Sequence, residues 1–164
     1  ECEWLVVGDI GIEGYYGELH MTDGTLNVAG TGSGDSWTIV GYGAKDQGFF
    51  TMDGGTVTTD NRFYIGFGGT GTLNMNVGTV NIGGSFGIGY GEGSATSRGT
   101  VNLAGGTINA VGTFTISNSS GGLGKLDITG GTLNITGDKR TIVEGNIANG
   151  YIVAYKGLGI VNVS

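Results

Sequence analysis

Hydrophobic and polar residues alternate along this chain in short bursts that end on glycine. In Gly71-Thr72-Leu73-Asn74-Met75 the apolar side chains fall at every second position. That two-residue period places them on one face of a β-strand. The phrase returns at residues 17–21, 48–52, 99–103, 124–128 and 159–163. Each of the first five copies leads through a turn into a second alternating phrase, which opens on Thr25, Thr56, Thr79, Thr107 or Thr132. The spacings of these threonines are 31, 23, 28 and 25 residues, a repeat-protein period with loop insertions. A third segment lies between copies, as WLVVG at 4–8, WTIVG at 37–41, FYIG at 63–66, FGIG at 86–89 and FTIS at 114–117.

Three short strands per repeat predict a stack of β-coils at the strand-pairing distance of about 4.8 Å. The inward rows then read Leu5, Thr38, Phe63, Phe86, Phe114 and Val7, Val40, Ile65, Ile88, Ile116 on the first strand. They read Leu19, Phe50, Leu73, Val101, Leu126 and Met21, Met52, Met75, Leu103, Ile128 on the second, with Leu26, Val57, Val80, Ile108, Leu133 on the third. Left-handed β-helices use about 18 residues per turn, so the longer repeat here predicts the wider, right-handed form. The expectation is an all-β chain, one domain over 1–164. Its architecture is a right-handed parallel β-helix (β-solenoid) of three strands per coil, with about five full coils and a partial sixth. Residues 136–155 depart from the period and are expected to form a decorated final coil with one extra strand.

Composition narrows the function classes. The 38 glycines among 164 residues are about three times ordinary usage, yet proline is absent and no Gly-X-Y period exists, which excludes collagen. The net charge is −7, and seven scattered Lys and Arg cannot track a phosphate backbone, so nucleic acid is not an expected partner. No apolar run approaches the roughly 20 residues needed to span a bilayer, so membrane insertion is not expected. Cys2 is the sole cysteine and permits only an intermolecular disulfide.

The Gly-Thr-Leu-Asn-apolar and Gly-Gly-Thr-apolar phrases resemble those of large secreted bacterial surface proteins. These include autotransporter passenger repeats and the solenoid repeats of planctomycete-type exported proteins. The tail GNIANGYIVAYKGLGIVNVS is similar to the way such planctomycete-type blocks finish. The resemblance implies an exported, cell-surface location and carries over no catalytic residue. Proteins of this kind serve in adhesins, in surface layers and beside polysaccharide-degrading domains.

Two outward features carry the candidate chemistry. One is the polar array of Thr25, Thr56, Thr79, Thr107, Thr132 beside Asn27, Thr58, Asn81, Asn109, Asn134, which reads either as a docking face for a periodic polymer or ice, or as plain strand-edge polarity. The other is aromatic. Tyr42, Phe67 and Tyr90 occupy equivalent positions in consecutive coils, and Trp4, Trp37 and Tyr64 point outward from their strands. Such residues mark a surface for a protein partner or a polysaccharide.

Catalysis finds little support. His20 is the one histidine and reads as a solvated surface residue. Asp23 and Asp53 fall in the same turn of adjacent coils, where a calcium ion and two solvated acids both stand open. No catalytic residue, cofactor or metal is assigned. The expected function is that of a non-catalytic structural protein joining end to end into a fibre or surface layer, or continuing into neighbouring domains of a longer chain. In that assembly Trp4 to Val7 would meet Ile160 to Val163, with Lys139, Arg140 and Lys156 facing Glu1, Glu3 and Asp9. The alternative is a carbohydrate-binding module of a larger secreted polysaccharide-degrading protein.

Overall fold

The computed structural model describes residues 2–8, 14–30, 36–91, 97–118, 120–136, 151–153 and 158–164. Among these the protein is all-β, and every pairing between its strands is parallel. The strands, numbered in chain order, form two sheets. The first runs β1 (Trp4–Val7), β4 (Trp37–Tyr42), β6 (Arg62–Phe67), β8 (Phe86–Ile88), β11 (Phe114–Ile116), β14 (Tyr151–Val153). The second holds two adjoining ladders. One runs β2 (Tyr16–Met21), β5 (Gln47–Thr59), β7 (Thr70–Ile82), β9 (Arg98–Leu103), β12 (Leu123–Ile128), β15 (Leu158–Val163). The other runs β3 (Thr25–Val28), β5, β7, β10 (Thr107–Ala110), β13 (Thr132–Ile135).

The rows predicted from the sequence are the observed registers. Leu5 pairs with Thr38, Thr38 with Phe63, Phe63 with Phe86 and Phe86 with Phe114. Leu19, Phe50, Leu73, Val101 and Leu126 align in the same way, as do Met21, Met52, Met75, Leu103 and Ile128. These apolar rows pack into one core in which Phe50, Phe63, Leu73, Met75, Phe86 and Leu103 are fully buried. Burying each such side chain contributes roughly 1.5–3 kcal/mol. Burial weakens toward both sheet ends, where Leu5, Leu19, Leu26, Ile128 and Leu133 are only partly covered.

Two features depart from the sequence expectation. The second and third phrases of a repeat belong to one sheet, and in β5 and β7 they run on as single 13-residue strands. The turn expected at Asp53 is a register irregularity within the strand, where Asp53 stands opposite Val77. Tyr151–Val153, within the irregular segment 136–155, is a sixth member of the first-sheet row, pairing with Phe114–Ile116. The rest of the decorated coil expected there, residues 137–150 and 154–155, lies outside the described residues.

A positive-φ residue sets the corner at or just after the end of these first-sheet strands, glycine for β4, β6 and β8 and Ser117, at φ 58°, for β11. Gly41, Gly66 and Gly89 have φ of 78°, 75° and 67°, a left-handed conformation that L side chains rarely adopt. A β-carbon on Gly41 would also sit 2.1 Å from the carbonyl oxygen of Thr70. These glycines turn the next residue outward, and that residue is Tyr42, Phe67 or Tyr90.

Candidate functional site

All six aromatic residues singled out in the sequence meet on the outer face of the first sheet. Trp4 and Trp37 are register partners, and their rings stack at 5.4 Å with planes 7° apart. The opposite neighbour of Trp37 is Arg62, not Tyr64, because Tyr64 lies opposite Ile39. The Arg62 guanidinium carbon sits 4.4 Å from the Trp37 ring centroid, a cation–π contact. The corner row stacks as Tyr42 on Phe67 at 5.5 Å and Phe67 on Tyr90 at 6.0 Å, and Phe67 also meets Trp37 edge-on at 5.7 Å.

Tyr64 ties the two rows together. Its ring stacks on Tyr90 at 4.5 Å and 8°, lies 5.3 Å from Phe67 and meets Trp37 edge-on at 5.6 Å. It is 4 % exposed, so the outward residue expected from the alternation is in fact covered. The cause is Gly87, its register partner in the next strand. A β-carbon there would fall 2.7 Å from Tyr64 Cδ1 and 2.9 Å from Tyr90 Cβ. The missing side chain leaves the space that Tyr64 fills. Trp37, Arg62, Tyr64, Phe67, Ser85 and Tyr90 then line a cleft of about 280 Å³.

The outer face of the second sheet is polar and internally bonded. Asn134 donates to Asn109 and Asn109 to Asn81, each at 2.9 Å. In the neighbouring column Asn102 donates to Asn74 at 2.8 Å, and Asn162 donates to Asp127 at 2.6 Å. Each amide reaches back toward the preceding repeat. Each of these amides therefore gives one donor to its neighbour in the stack, which favours polar residues that suit stacked strands over a docking lattice.

His20 is not merely solvated. Its Nε2 lies 2.6 Å from Asp53 Oδ2, and Asp53 Oδ1 accepts from Asn76 at 2.8 Å. These hydrogen bonds, that from Asn76 foremost, hold the Asp53 carboxyl below its ordinary pKa. Asp23 is turned to its own loop and accepts from the Gly24 amide. Among the described residues no group of three His, Cys, Asp or Glu side chains is placed to hold a metal ion. Asp53 has its hydrogen-bond partners in His20 and Asn76, and Asp23 has its own in Gly24.

The four residues of the expected end-to-end contact lie on outer strands. Among the described strands, β1 pairs only with β4, and β15 only with β12. Trp4 is half exposed, and Val163 is 74 % exposed although its row is a core row. Ile160 is half-buried, and Val7 is buried, so Val7 has only its backbone to offer a neighbour. Lys139, Arg140, Lys156, Glu1 and Asp9 lie outside the described residues. No protein-family model, curated protein or solved structure matches this chain.

Proposed function

We propose that this chain is a stretch of right-handed parallel β-helix, three strand phrases to a coil, serving as a non-catalytic structural module of an exported surface protein. The observation that carries this reading is the residue-for-residue parallel register of equivalent phrases, held for five successive repeats in both sheets. A scaffold of this kind needs its repeated phrases for shape and needs no convergent acid, base or nucleophile. Its coils continue end to end, with the next coil supplied by a second copy or by a longer chain. Outer-strand backbone groups and uncovered core-row side chains such as Val163 favour such continuation. A heterologous contact that does not close gives a fibre. Electron microscopy of the purified chain at micromolar concentration should show filaments; a persistent monomer in sedimentation overturns self-association. Proline at Val161 should remove a ladder donor and break the junction while sparing the inner repeats.

A second reading is a carbohydrate contact on the first sheet, as in a binding module of a larger polysaccharide-degrading protein. The convergence of four aromatic rings, Trp37, Tyr64, Phe67 and Tyr90, around one cleft favours it. Affinity electrophoresis in polysaccharide gels tests it: retardation that vanishes with Tyr42→Ala plus Tyr90→Ala supports it, and absence of retardation in every gel removes it.

A further inference from the structure

We propose that the cleft beside Arg62 seats a pyranose ring bearing a carboxylate, one hexuronate unit of an acidic polysaccharide. The inference rests on the carbohydrate reading above and names its substrate class. Three observations on the first sheet lead to it.

The first is charge. The segments that build this face, 37–42, 62–67, 85–90 and 113–118, contain no acidic residue and one cation, Arg62. Asp60, two residues before Arg62, is the acid nearest to it in sequence, so this face is far less acidic than a chain of net charge −7 is on the whole. Among the described residues the Arg62 guanidinium forms no ion pair, and its stacking on Trp37 holds it in place. Its planar fork matches a carboxylate with two parallel hydrogen bonds.

The second is an orphan donor. Trp37 Nε1 is buried and has no hydrogen-bond partner among the described residues. Buried donors are rarely left so, and because the Trp37 ring lines the cleft, a small shift of it on binding would bring this donor to an acceptor of the ligand. Ser85, which precedes Phe86 as Arg62 precedes Phe63, adds a hydroxyl to the same outward column.

The third is shape. Tyr64 occupies the gap at Gly87 with its face against Tyr90, so the cleft sets the rings of Trp37, Phe67 and Tyr90 beside the polar edge of Arg62 and Ser85. Sugar C–H faces stack on such rings while the carboxylate turns toward Arg62. A cleft of about 280 Å³ is at the small end for ligand sites, room for one ring of a chain that crosses the open surface.

The test measures binding of the full chain to polygalacturonate and to a neutral glucan by calorimetry. Polygalacturonate should bind, the neutral glucan should bind at least tenfold more weakly, and Arg62→Gln should lower polygalacturonate affinity by about tenfold or more. Thermal melts establish that each variant is folded. Should Arg62→Gln fail to fold, Ser85→Glu serves in its place, because a carboxylate in that column should abolish polyuronate binding. Unchanged affinity in the folded variant overturns the proposal. Equal binding of the neutral glucan, lost in Tyr90→Ala but kept in Arg62→Gln, overturns it while leaving the carbohydrate reading intact. No binding to either polymer overturns both.

Discussion

Asp127 accepts a hydrogen bond from Asn162, yet it has no proton to give Asn102, its register partner on the other side. The amide column that runs through Asn74 and Asn102 is interrupted there. Lys125, on the same strand, pairs with the Asp127 carboxylate. Lys125 first, then Asn162, hold this carboxyl below its ordinary pKa.

Asp127→Asn should restore a donor toward Asn102 while losing the exposed ion pair. Each term is worth about 0.5–1 kcal/mol, so stability at pH 7 should change by less than about 1 kcal/mol. The pH dependence should change more clearly. A depressed folded-state pKa gives stability that is present above the ordinary value near 4 and lost as pH falls through the folded value. The variant has no such group, so its urea midpoint should fall less than the parent's between pH 5 and pH 2. Equal slopes would show that Asp127 is not coupled to folding.

Thr38 should be better as valine. It occupies a core row between Leu5 and Phe63, and its hydroxyl is buried with no partner among the described residues. Thr38→Val keeps the branched shape and removes the orphan oxygen, and should raise stability by about 1 kcal/mol in chemical denaturation. A loss of stability would mean that the hydroxyl is satisfied.

Gly87→Ala should disturb the aromatic face. The added methyl meets Tyr64 and Tyr90 at distances that require one ring to move. Overpacking of this kind lowers stability by roughly 1–3 kcal/mol. It should also weaken the near-ultraviolet circular dichroism of the stacked tyrosines, while far-ultraviolet spectra keep their strand signature.

At Asp53, Asn76→Ala and His20→Ala should each raise the carboxyl pKa, because the Asn76 hydrogen bond, then the His20 hydrogen bond and charge, hold it down. Carboxyl-carbon NMR titration of both variants reads this directly. An unchanged pKa in either variant would show that its partner does not hold the carboxylate.

The rows of the core were legible in the sequence because period-two alternation and a fixed repeat leave little choice of register. Phe63, Phe86 and Phe114 align as the pattern requires. Side-chain direction on the outer face was less legible. Alternation makes Tyr64 outward, but its burial depends on Gly87, a residue in a different repeat whose significance is the absence of a side chain. The pair of His20 with Asp53 was hidden for a related reason. The two are 33 residues apart and two positions out of register, since His20 stands opposite Thr51, and Asp53 sits at an irregularity of β5 against β7 that no local pattern announces. Tyr151–Val153 carried a usable signal, since Tyr-Ile-Val repeats the aromatic-then-aliphatic order of Phe63-Tyr64-Ile65, but the irregular spacing around it masked the match.

The side-chain hydrogen bonds that cross between neighbouring repeats span similar lengths of chain, from 23 residues for Asn76 with Asp53 to 35 for Asn162 with Asp127. Closing a flexible loop becomes harder only with the logarithm of its length, so these extremes differ by about 0.4 kcal/mol in closure entropy. Each repeat added to a formed neighbour thus meets nearly the same entropic barrier as the one before. Folding can begin at an inner pair such as β5 and β7 and spread outward in either direction, at a rate per repeat that does not fall as the chain lengthens.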